Sequence, residues 1–120
     1  MTKLLTKEAI LGAKDTKEED VVVPEWGGSV RMRTMLGEDR DAWETAMQAQ
    51  KTDDKVDIRG MKALLISMCA RNEEGALLFS AQDVSLLNKK NAKAIDRLWD
   101  VAARMNGIGD EQLEAARKNS

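Results

Sequence analysis

Apolar residues recur every three or four positions in three stretches of the chain, and that spacing predicts helices. The clearest stretch has Ala94, Ile95, Leu98, Trp99, Ala102 and Met105 on one face. Asn91 is placed to cap its start and Asn106-Gly107 to stop it. A second carries Ile58, Met61, Leu64, Leu65 and Met68, widened by Ala63 and Ile66. Asp57 reads as its N-cap and the run from Asn72 to Gly75 as its end. A third, from Gly37 to Ala49, aligns Ala42, Trp43, Ala46, Met47 and Ala49. Its first turn holds Glu38, Asp39 and Asp41, where the helix dipole favours acid. Two shorter helices are expected: one capped by Thr6 and running through Ala9, Ile10 and Leu11 to Ala13, and one from Ala81 to Leu87 behind a Ser80/Asp83 capping box. Asp110 begins a last short segment with Leu113 and Ala116, and the polar residues 117–120 are expected to fray.

Between the first two helices the period changes to two. Val21-Val22-Val23-Pro24-Glu25-Trp26 is β-prone, and in Ser29 to Met35 the residues Val30, Met32 and Thr34 face one way while Arg31 and Arg33 face the other. Gly27-Gly28 between the runs predicts a hairpin with a tight primed turn. Pro24 has no N–H, which assigns the first strand to an edge or gives it a bulge. The segments Asp15 to Asp20 and Gln50 to Lys55 read as solvated loops, and Leu77-Leu78-Phe79 as a short buried connector. The fold class is therefore α+β: one mostly helical domain over 1–120 with a single β-hairpin near residues 20–35.

Composition narrows the function. At 42% hydrophobic and 33% charged, the chain has the balance of a globular domain. Its 19 basic and 21 acidic residues leave a net charge of −2, so no basic excess draws it to nucleic acid or an anionic membrane. No apolar run approaches the ~20 residues needed to cross a bilayer. Glu8 arrives too early for a secretory signal, and Cys69 is the single cysteine, which together indicate a reducing cytosol.

There is no histidine and no tyrosine, which removes the commonest general base and zinc ligand. Cys69 lies in an apolar helix and reads as a core residue. Asp53, Asp54 and Asp57, like Glu73 and Glu74, crowd carboxylates in predicted loops; the reading is a solvated loop rather than an acid–base pair, which needs burial. Gly27-Gly28 is followed by no phosphate-binding lysine. No catalytic, cofactor or metal site emerges, and the chain reads as a binding protein rather than an enzyme.

The candidates for binding lie on and beside the hairpin. Trp26 sits next to the Gly-Gly turn, either folded into the core or held as an interface anchor. Arg31 and Arg33 offer charge to an acidic partner, and Met32 and Met35 offer adaptable apolar contact. The remaining methionines, Met47, Met61, Met68 and Met105, read as core. An exposed hairpin edge also suggests weak self-association.

The stretch Val23-Pro24-Glu25-Trp26-Gly27-Gly28-Ser29-Val30-Arg31-Met32-Arg33 resembles the signature of the tail assembly chaperones of long non-contractile-tailed bacteriophages. Gly37 to Glu44, Cys69 to Gly75 with Leu78-Phe79, Leu86-Leu87-Asn88 through Leu98-Trp99, and Met105-Asn106-Gly107 extend the resemblance over roughly residues 4–116. Asn72 departs from it, standing where an acidic residue is expected before Glu73. The resemblance implies a non-catalytic chaperone in the host cytoplasm, absent from the finished virion and needing no cofactor. It implies binding of the tape measure protein and recruitment of tail tube protein through a longer product made by ribosomal frameshifting. Two other readings stand beside it: a minor tail or head–tail connector protein, distinguished by its presence in purified particles, and a helix-turn-helix regulator using residues 80–105. In the latter, Asp83, Asp96 and Asp100 offset the basic residues, and a gel shift at low salt decides.

Overall fold

A computed structural model describes residues 2–49, 51–52, 55–56 and 60–108, the four residues 51, 52, 55 and 56 by their backbone. Five α-helices are assigned among them: α1 (Lys7–Gly12), α2 (Gly37–Ala49), α3 (Met61–Cys69), α4 (Val84–Leu87) and α5 (Ala92–Met105). The strands are β1 (Glu18–Val23), β2 (Gly28–Arg33), β3 (Lys51–Thr52), β4 (Lys55–Val56) and β5 (Ala70–Arg71). The fold is α+β, as expected: β1, β2 and β5 form an antiparallel sheet in that order.

The centre of the molecule is α3. It is apolar nearly all round, and such a helix must be enclosed. Ala63, Leu65, Ile66 and Cys69 are fully buried, and the Ser67 hydroxyl is satisfied by the Leu64 carbonyl at 2.7 Å. Against α3 lies α5, whose buried stripe is Ala94, Ile95, Leu98, Trp99, Ala102 and Ala103. The Asn91 side chain caps it by accepting from the amides of Lys93 and Ala94. The α2 helix adds Trp43 and Met47, and the Trp43 indole N–H donates to the Met61 carbonyl at 3.4 Å. The sheet closes the core with Val21, Val23 and Met32, while Arg31 and Arg33 take the opposite face.

Asn106, just past α5, ties four elements together. Its Oδ1 accepts the Met35 amide at 2.7 Å, and its Nδ2 donates to the Ala102 carbonyl at 2.8 Å and to Cys69 Sγ at 3.5 Å. Its own carbonyl accepts from Arg40 Nη1 on α2 at 3.0 Å. The side chain of this one residue thus fixes the end of β2 against α3 and α5, and its backbone carbonyl adds α2.

Several expectations are corrected. The charged run predicted as a loop becomes strand from Glu18 onward, because its acids meet cross-strand arginines or α5. The hairpin connection is four residues, not a two-residue turn. Val23 pairs with Gly28, Pro24–Trp26 form a single 3-10 turn, and Gly27 (φ 72) returns the chain, its amide bonding the Pro24 carbonyl at 3.1 Å. Pro24 therefore lies beyond the strand, at the first position of a turn that suits its fixed φ. The α3 helix begins at Met61, behind Gly60 (φ 82), and Asp57 and Ile58 lie outside the described residues. It ends at Cys69, since Ala70 and Arg71 leave the helix to pair with Met32 and Arg31. The Gln50 to Lys55 run contains paired strands, Lys51–Thr52 with Lys55–Val56. Leu77 and Leu78 are exposed at 54% and 45%, where a buried connector was expected. Asp53, Asp54, the Asp110 segment and the 117–120 end lie outside the described residues.

Candidate partner-binding surface

The hairpin tip is held in place from below. Glu25, in the 3-10 turn, takes a hydrogen bond from Arg97 Nη2 on α5 at 3.0 Å. That bond, with Lys93 nearby adding attraction, keeps the Glu25 carboxyl below its ordinary 4.5. With Glu25 tied to α5, its neighbour Trp26 lies beside α4 and the connector before it.

There Trp26, 36% exposed, lines an open groove of about 520 Å³ together with Leu78, Phe79, Leu86 and Leu87. Asp83 and Lys90 are the two charged residues of its lining. The α4 helix is only four residues long and its two leucines divide the work. Leu87 is buried in the core, and Leu86, at 62% exposure, faces out. Apolar side chains left in water and rimmed by polar ones make this groove the candidate surface for a partner.

The five residues singled out in the sequence do not converge. Trp26 is in the groove. Arg31 lies on the outer face of the sheet in a two-pronged pair with Asp20, Nε to Oδ1 at 2.8 Å and Nη2 to Oδ2 at 3.0 Å. This bonding raises the Arg31 pKa and lowers that of Asp20. Arg33 shares that face, half-buried, and its buried Nε has no hydrogen-bond partner among the described residues. Met32 is fully enclosed, so it fills the core and offers nothing to a surface partner. Its place on the inner face follows from the strand period, and the sheet is covered there by helices. Met35 is half-buried at the far end of β2 from Trp26, about 20 Å away along the strand. Leu78, Phe79 and Leu86 went unnoticed as surface candidates. Leu77-Leu78-Phe79 is an apolar run with no period, which carries no signal of which way its residues face, and Leu86 stands beside the buried Leu87.

Reactive chemistry has few places to reside. Cys69 is buried, and burial pushes its thiol up to about 11, so it stays protonated at neutral pH. Arg71 is likewise buried, its pKa lowered by desolvation and by the nearby Arg33; its Nη2 donates to the Met68 carbonyl at 3.0 Å. Glu73 and Glu74 are exposed on the turn after β5. Among the described residues no three of His, Cys, Asp and Glu stand together as metal ligands, and no helix is long and apolar enough to cross a membrane.

A family model described as phage tail assembly chaperone matches residues 6–119. No curated protein sequence matches significantly. Among solved structures, the tail assembly chaperone of bacteriophage HK97 is similar in fold, with a TM-score of 0.60 and 20% identity over 86% of this chain and 95% of that one.

Proposed function

Because this chain belongs to the phage tail assembly chaperone family, we propose that it acts in the infected host cell as a holdase for the tape measure protein while the tail is built. The observation that carries the reading is the apolar groove at the hairpin tip, where Trp26, Leu78 and Leu86 stand in solvent beside one another. A long helical client offers the same chemistry many times over, as apolar stripes awaiting burial. Binding them requires apolar contact and no reaction, in keeping with a chain that has no histidine and a protonated, enclosed cysteine. Many copies along one client add avidity without high affinity at any single site. Among the described residues β1 pairs on one side only, and pairing between copies along its other edge would favour such an array. Tail tube protein is the second partner in this reading, brought to the coated client by a longer form of the chain produced by frameshifting.

The test is co-expression with the cognate tape measure protein, followed by recovery of the complex and by analysis of purified particles. A soluble complex, with the chain missing from virions, is the expected result. Tape measure protein that remains insoluble, or stoichiometric amounts of the chain in virions, overturns the chaperone role; the latter favours a structural tail or connector protein.

A further inference from the structure

The hairpin is tied to α5 by two arginines. Arg97 and Arg104 stand about two turns apart on that helix and so share a face. Along β1, Glu19, Val21 and Val23 alternate onto the inner side of the sheet, and the two valines are buried. Near the start of the strand, Arg104 Nη2 donates to both Glu19 oxygens, at 2.9 and 2.8 Å. Just past its end, Arg97 Nη2 donates to Glu25 Oε2 at 3.0 Å.

The two pairs differ in what else supports the backbone beside them. Glu19 is laddered to β2, opposite Met32. At Glu25 the ladder has already ended, with Val23 opposite Gly28. Among the described residues, the 24–27 turn makes one hydrogen bond to a residue outside the hairpin, the one between Glu25 and Arg97. Its bond from the Gly27 amide to the Pro24 carbonyl, at 3.1 Å, only closes the turn. The other acids of α5 leave Arg97 to Glu25: Asp96 is taken by Lys62 at 3.0 Å, and Asp100 makes no ion pair among the described residues. Trp26 is the next residue of the turn, and its groove neighbours Leu78 and Leu86 belong to a different part of the chain. The shape of the groove therefore depends on where the turn sits over α5.

Resting on the chaperone reading, we propose that Arg97 is a positioning residue of the groove: by holding Glu25 it sets Trp26 against Leu78 and Leu86 in the arrangement that receives an apolar partner. Arg97 acts through Glu25 and touches no partner itself. A pair this open to solvent adds little to the stability of the whole fold. Its effect falls on the one segment that no ladder holds.

Four variants of the full chain test this: Arg97→Ala, Glu25→Ala, the exchange of Glu25→Arg with Arg97→Glu, and Arg104→Ala as the control. Two readouts are taken. One is the indole N–H signal of Trp26 in NMR, identified by its loss in Trp26→Phe, with its relaxation reporting motion. The other is the amount of chain needed to keep diluted tape measure protein from aggregating. Arg97→Ala and Glu25→Ala should each shift and mobilise the Trp26 signal. Each should require about three- to fivefold more chain at low salt, the upper range for one exposed ion pair. The melting temperature should stay within about 4 °C of the parent. The exchanged pair should recover most of both readouts, and Arg104→Ala should change neither. The gap between parent and Arg97→Ala should close as salt screens the pair. An unchanged Trp26 signal and dose in Arg97→Ala overturns the proposal. A loss in Arg97→Ala that Glu25→Ala does not share overturns it too, since Arg97 would then meet the client directly. So does an equal loss in Arg104→Ala, which would be a general effect of removing charge. Failure of the chaperone reading registers separately, as a parent chain that does not slow aggregation, and the Trp26 signal then decides the positioning role alone.

Discussion

Removing the Asn106 side chain should destabilise the fold more than a polar residue at the end of a helix ordinarily does. Asn106→Ala deletes the acceptor for the Met35 amide, now bonded at 2.7 Å in a part-buried position. A buried donor left unpaired costs about 1–3 kcal/mol. The loss of the Nδ2 bond to the Ala102 carbonyl costs less, since that carbonyl keeps the Asn106 backbone amide at 3.2 Å; about 0.5–1 kcal/mol is a fair share for it. The bond from Arg40 goes to the backbone carbonyl and survives the substitution. The expected loss is about 2–3 kcal/mol, or about 10 °C in melting temperature for a domain of this size. Urea denaturation measures the energy, and hydrogen exchange at the Met35 amide measures the mechanism. Exchange there should quicken in the variant beyond what global destabilisation accounts for. A variant within about 0.5 kcal/mol of the parent, or a Met35 amide protected as before, refutes the role given to Asn106.

Three further outcomes are expected. Because burial raises the Cys69 thiol from 9.0 to about 11, the unfolded chain ionises first as pH rises and the folded chain holds its proton. Stability should thus be fully present below pH 9 and fall by about 1.4 kcal/mol per pH unit above it until about pH 11, and Cys69→Ala should lack that part of the slope in urea titrations. The open edge of β1 carries Val22 at 65% exposure, so sedimentation should show association rising with concentration and Val22→Lys should reduce it; a monomer at near-millimolar concentration in both contradicts edge pairing. Mass spectrometry of infected cells should find a longer product sharing this chain as its N-terminal part, and finding only the short product at full sequence coverage removes that expectation.

Legibility in the sequence followed how local the cause of each element is. The α5 helix was readable from end to end because its stripe is regular and both its caps are its own residues, Asn91 and Asn106. The extent of α2 was readable as well, with Trp43 and Met47 of its stripe buried, and so was the Thr6 cap, whose Oγ1 accepts the Ala9 amide at 3.1 Å. The start of β1 was not readable. Glu18, Glu19 and Asp20 look like a loop until their distant partners are known: Glu18 stands opposite Arg33, Asp20 binds Arg31, and Glu19 meets Arg104 at 2.8 Å. β5 is only two residues long and owes its conformation to β2, nearly forty residues earlier in the chain. The groove was legible by half. Trp26 stood out beside its turn, but the leucines around it are apolar residues whose exposure depends on what the rest of the fold leaves uncovered.

The most direct test of the holdase role is aggregation of the tape measure protein itself. Diluted from denaturant, it should scatter light as it aggregates, and an excess of this chain should suppress the signal. Trp26→Ala should lose that activity, requiring at least about tenfold more protein. It should do so while losing less stability than the ~3–5 kcal/mol of a wholly buried tryptophan, since Trp26 is 36% exposed. Scattering that the parent chain leaves unchanged contradicts the account, and so does a Trp26→Ala protein that protects its client as well as the parent.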